Sequence, residues 1–133
     1  MRYRQVMLSR YRIVRGRRPP GDPLPEGHRQ DTRKHTRHCL RPTVELVKTY
    51  LADPTDRAWA AYVGEYRALI DARFRDDRAP FDRLAELAMH EDVFLGCNCP
   101  TAHQPDVRHC HTWLALEYFA RKYPDLDVRF DAR

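Results

Sequence analysis

The chain has 133 residues, a mean hydropathy of −0.77 and 32% charged residues. That length predicts one domain spanning residues 1–133, large enough to bury a core without disulfides or metal merely to fold. No apolar run approaches the ~20 residues a membrane span needs, and the apolar stretch near the N-terminus is only "VML", too short for a secretory signal. The expected location is the cytoplasm, where cysteines stay reduced and a Cys/His cluster reads as metal-binding or reactive before it reads as disulfide.

Charge is unevenly spread. Residues 1–41 hold twelve Arg/Lys against Asp22, Glu26 and Asp31, whereas residues 42–133 hold twelve against sixteen. The basic half is a candidate surface for phosphates, in a nucleotide or a nucleic acid. The plainer reading is a solvated arginine-rich surface, since 21 of the 24 basic residues are Arg.

In chain order, "YRQVMLSRYRIV" predicts a strand between Gln5 and Val14, with Tyr11 and Ile13 alternating against Arg10 and Arg12. "GRRPPGDPLPEGH" (16–28) has four Pro and three Gly in thirteen residues, which makes it a loop. "RQDTRKHTRHCLRP" (29–42) lacks periodicity and is expected to be irregular. "TVELVKTYLA" (43–52) opens on the capping candidate Thr43 and places Val44, Val47 and Leu51 at helical spacing.

Residues 53–77 form the clearest helix. Pro54 after Asp53 is its start signal, and Trp59, Tyr62, Val63, Tyr66, Leu69, Ile70 and Phe74 make one apolar stripe. The stripe reads as core, with base stacking the remote alternative. Gly64 inside it weakens the helix unless it permits close packing. A helix at 80–90, a buried strand at 92–97, a helix at 111–123 and a last strand at 126–131 follow. The order predicts an α/β fold, a small three-layer-like domain with a short, mostly parallel sheet flanked by helices. Its final strand–helix–strand should cross right-handed.

"GCNCPTAHQPDVRHCH" (96–111) concentrates three of the four cysteines and three of the seven histidines. It runs from a strand's carboxyl end to a helix start, where open α/β sheets bind ligands. Cys97 and Cys99, two apart, point the same way in extended backbone. Cys110 lies eleven residues beyond Cys99. With helix from Asp106, His109 and His111 would sit roughly 200° apart around the axis and could not share a tetrahedral site. The preferred ligand set is therefore Cys97, Cys99, Cys110 and His111, with His103 or His109 as substitutes. Three thiolates and an imidazole form a standard structural zinc set, though Cys-x-Cys is not the usual knuckle spacing.

Two other readings stay open. Cys110 between two histidines at a helix N-terminus, or Cys97 at the strand end, could be an activated nucleophile, with His111 as base. The thiols could also simply pack, as buried cysteines commonly do. Upstream, "RKHTRHCLRP" sets His35, His38 and Cys39 among Arg33, Arg37 and Arg41, which are candidate anion-binding residues should this loop fold over the strand ends.

"VMLSRYRIVRG", "PTVELVKTY", "YVGEYRALI", "LAELA" and "VFLGCNCP…CHTWLALEYF" together resemble the bacterial domain of unknown function 488 family. The resemblance implies a small α/β fold, with Cys97 as its strand-end cysteine and Cys110–His111 as its Cys-His pair. It implies no established reaction. Cys99 stands where the family tends to have Glu, which substitutes a soft ligand and favours zinc. Thr112 stands where it tends to have Arg, which weakens any phosphate site the resemblance would carry over.

Overall fold

A computed structural model of the chain describes residues 5–102 and 104–130. Three parallel strands, β1 (Leu8–Arg12), β2 (His28–Asp31) and β3 (Val93–Cys97), form a sheet in the order β1-β3-β2. Four helices complete the fold: α1 (Val44–Ala52), α2 (Asp56–Asp76), α3 (Ala79–His90) and α4 (His111–Lys122). This is the small parallel α/β architecture expected. Among the described residues no helix is long and apolar enough to cross a membrane.

The capping chemistry explains most helix starts. Thr43 caps α1 by accepting from the Leu46 N–H, and Thr55 caps α2 by accepting from the Ala58 N–H. The expected start of α2 at Asp53 is thus three residues early, because the hydroxyl that accepts from a free N–H of the first turn is that of Thr55. The stripe along α2 buries Tyr62, Tyr66 and Ile70 against one core shared with Phe81, Leu84, Leu95, Leu116 and Phe119. An alanine Cβ at Gly64 would meet nothing, so this glycine serves no close packing.

Three expectations change. First, residues 28–31 are a strand rather than irregular, pairing His28 with Val93 and Gln30 with Leu95. β2 is polar and partly exposed, and its backbone bonds to β3 rather than side-chain burial make it a strand. Gly27 (φ +135°) feeds it, and a Cβ there would lie 2.8 Å from the Asp92 carbonyl oxygen. Second, the last strand is a single parallel bridge, Val128 to Leu8, with Leu8 N–H donating to Asp127 O and Arg129 N–H to Leu8 O; residues 131–133 lie outside the described ones. Third, the alternation in β1 does not divide a buried face from an exposed one. Arg10 is 1% exposed and its face holds Leu8, while Tyr11 is buried on the opposite face against Gly96.

The register carries these faces to the site. Arg10 pairs with Leu95 and Arg12 with Cys97, and the Thr32 N–H donates to Gly96 O just beyond β2. Arg10, Cys97 and Thr32 therefore share the sheet face on which α4 packs. A one-residue slip would send each of them to the other face.

Candidate metal centre

The cluster forms where the sheet's carboxyl end meets the start of α4. Cys97 ends β3, Cys99 follows in the loop, and Cys110 is the N-cap of α4. Their three sulfurs lie within 4.8 Å of one another. Tetrahedral binding at a metal–sulfur length of about 2.3 Å puts sulfurs roughly 3.8 Å apart, so the trio can close on one ion with small side-chain adjustments. No disulfide joins them.

His111, on the first turn of α4, is 4% exposed. Its Nε2 lies 2.8 Å from Thr32 Oγ1, and that hydroxyl donates to Gly96 O at 3.0 Å. With the hydroxyl proton committed to the carbonyl, the hydrogen-bond network assigns the histidine proton to Nε2. Nδ1 then faces the cluster, 3.8 Å from Cys110 Sγ. Thr32, which the sequence presented as an unremarked loop residue, thereby fixes the orientation of the ring.

His109 takes no part in the cluster. Its Nδ1 contacts the Tyr50 hydroxyl at 3.1 Å and its ring stacks on Trp59 at 4.8 Å. The helix begins at His111 rather than near Asp106, so the two histidines separate because one precedes the helix, not through helical phase. His103 lies outside the described residues.

Electrostatics follow from the crowding. Hydrogen bonds from Cys97 and Cys99 hold the Cys110 thiol well below its ordinary 9.0, against burial, with His111 adding to the effect. Cys99 is pushed up because its S–H is engaged by Cys110 and Cys97. Burial lowers His111, but the Cys110 thiolate outweighs it and raises the imidazole from 6.5 to about 10. Without metal, Cys110 thus carries the thiolate, held by the neighbouring cysteines, beside an imidazolium.

This pair predicts an unusual pH profile for metal-free protein. The His111 contribution to stability is full below 6.5 and is lost as pH rises through about 10. The Cys110 contribution is full above 9.0 and is lost as pH falls through its lowered folded value. Between 6.5 and 9.0 the two slopes cancel, because folded and unfolded chains bind equal numbers of protons at these groups. The stability difference between wild type and Cys110→Ser, measured by denaturant unfolding in chelator, is expected to plateau there and fall on both sides. A steady slope across the window would contradict the pair.

The thiols and His111 sit in a cleft of about 690 Å³. Tyr50, Trp59 and Tyr62 form one wall, and Arg15, Arg33, Lys34 and His35 contribute cationic or titratable groups. No Asp or Glu lines it among the described residues. Arg33 is held by Asp31 through bonds at 2.8–3.2 Å, which keep that carboxyl below its usual range. Trp59 is stacked on Tyr62 at 4.9 Å as well as on His109, so its ring is already engaged by two others. The aromatic stripe is core and cleft wall at once.

The other sequence candidates lie elsewhere. Arg37 lines a separate cavity of about 400 Å³ with His38 and Cys39. Arg41 donates to His38 O at 3.0 Å, and the segment is tied to α2 by Arg73, which bonds the Cys39 and Arg41 carbonyls. Burial pushes the Cys39 thiol up to about 11, so it remains a protonated packing residue. At position 112, where the resemblance expects an arginine, Thr112 Oγ1 instead accepts from Arg10 Nε at 2.8 Å.

Comparison with curated proteins and with solved structures returned no match. A family model described as the active DUF488-N3 subclade matches residues 2–123, which span all the strands, all the helices and every residue of the cluster. The chain belongs to this DUF488-N3 subclade of the domain of unknown function 488 family.

Proposed function

We propose that the protein is a small zinc-binding α/β protein in which Cys97, Cys99, Cys110 and His111 hold the ion. In this reading its basic cleft receives a nucleotide or nucleic-acid phosphate. The observation that carries the metal is the convergence of three sulfurs within 4.8 Å of one another, with His111 Nδ1 3.8 Å from the Cys110 sulfur. Thiolates select soft or borderline ions, and zinc fits three of them plus an imidazole. The Nε2 contact to Thr32 is the kind of outer hydrogen bond that orients a metal-ligating histidine. Four protein ligands leave no open position, so the ion would be structural and join the end of β3 to the start of α4.

The ligand reading rests on the sign of the cleft: Arg15, Arg33 and Lys34 line it, Asp31 pairs with Arg33 from outside the lining, and no carboxylate is among the lining residues described. Guanidinium and ammonium groups are the usual partners of phosphate oxygens. Because Trp59 already stacks on Tyr62 and His109, a base would compete with those rings for it.

Elemental analysis of untagged protein expressed with zinc is expected to find one ion per chain, and essentially none would reject the metal. One contact favours a second reading, a thiol enzyme acting on an anionic substrate: Cys110 Sγ lies 3.8 Å from His111 Nδ1 at a helix start. Metal-free protein would then be alkylated selectively at Cys110. Uniform, slow labelling of all four thiols would argue against it.

A further inference from the structure

Arg10 is the largest fully buried side chain of the described residues. A guanidinium stays protonated in proteins. Burying it costs several kcal/mol unless an anion compensates. Its two partners are neutral oxygens: Thr112 Oγ1, accepting from Nε at 2.8 Å, and the Cys99 carbonyl, accepting from Nη2 at 2.6 Å. Nη1 is buried and has no hydrogen-bond partner among the described residues. No carboxylate among them pairs with the group.

The nearest anionic chemistry is the thiol cluster. Thr112 Oγ1, having accepted from Arg10, donates to Cys110 Sγ at 3.2 Å. The Cys99 carbonyl belongs to a second member of the cluster. Arg10 thus touches two of the three cysteines, one through a hydroxyl and one through its backbone, from the strand beneath them.

We propose that Arg10 is the built-in counter-charge of the metal centre and positions two of its thiolates. The inference rests on the zinc reading. Three thiolates and a neutral imidazole around a divalent ion carry one net negative charge, and one guanidinium cancels it. The buried assembly is then neutral as a whole, which removes the main cost of burying either partner alone.

The test is zinc affinity, by competition with a chromophoric chelator, in the full-length protein and its Arg10→Gln and Arg10→Lys variants. Arg10→Gln is expected to weaken zinc on the order of tenfold to a hundredfold, the usual range for a group supporting metal ligands. Arg10→Lys, which keeps the charge, is expected to retain most of the affinity. A merely structural role is separated by repeating Arg10→Gln in a Cys97→Ser background. There the centre has two thiolates and is already neutral, so the loss should largely vanish. Equal losses in both backgrounds, or no loss in either, overturn the proposal. Should Arg10→Gln not fold, Thr112→Val removes only the hydroxyl between guanidinium and sulfur, and wild-type affinity in that variant overturns it as well. Wild-type protein that takes up no zinc rejects the metal reading and this one together, whereas zinc binding indifferent to Arg10 rejects only this one.

Discussion

Replacing Cys110 with serine is expected to abolish stoichiometric zinc and to weaken affinity at least on the order of a hundredfold, whereas Cys39→Ser should leave both unchanged. Cys110 is the point at which the site's contacts meet. Its sulfur lies with those of Cys97 and Cys99, faces His111 Nδ1 and receives the Thr112 hydroxyl. Serine is nearly isosteric, but its hydroxyl is too weak an acid to replace a thiolate toward a borderline-soft ion. Cys39 is the control because it belongs to the other cavity, and its thiol, at about 11, stays protonated. Melting curves give an independent reading. Zinc should raise the wild-type midpoint, since a ligand bound only by the folded chain stabilises it by mass action. The same zinc should barely move Cys110→Ser. A Cys110→Ser protein with wild-type zinc content and an undiminished shift would remove the cluster as the metal site.

Leu95→Ala is expected to cost about 2–5 kcal/mol in chelator, the range for emptying a fully buried leucine site. Leu95 is 0% exposed at the centre of β3, on the face that carries Cys97 two residues later. Its strand is bonded on both sides, to β1 and β2, so the neighbouring backbone has little freedom to close a void. Zinc should offset part of this loss, because an excess of about a thousandfold over the dissociation constant is worth roughly 4 kcal/mol to the folded state. The expected result is a urea midpoint that falls sharply in chelator and recovers substantially in zinc, with an unchanged denaturant slope. A midpoint indifferent to zinc would mean that the thiol cluster contributes no ligand-linked stability. Together the two variants separate the core from the metal: one removes the ion and spares the packing, the other removes packing and spares the ion.

The helices and β3 were legible in the amino-acid order because burial and capping are local signals. Threonines before apolar periodicity set α1 and α2, and the run Val93–Leu95 between charged residues and Gly96 marked β3. The cluster was legible for the same reason, since its members occupy sixteen consecutive positions that straddle a strand end and a helix start. β2 was not, because "HRQD" carries no apolar pattern and becomes a strand only through its backbone bonds to β3.

Arg10 and Thr32 are where the tertiary structure decided most. Alternation in β1 set Arg10 and Arg12 on one face and Tyr11 on the other, yet both faces of that strand are covered, so period two could not say which face meets which neighbour. On its face Arg10 meets the Thr112 hydroxyl and the Cys99 carbonyl, 102 and 89 residues away in the chain. Thr32 matters only because β2 aligns with β3 and brings its hydroxyl between Gly96 O and the His111 ring. The sequence by itself determined which residues could bind a metal. Strand register and the start of α4 decided which histidine lies beside the cysteines and which buried cation stands beneath them, because contacts at a buried site depend on distance in space and not along the chain.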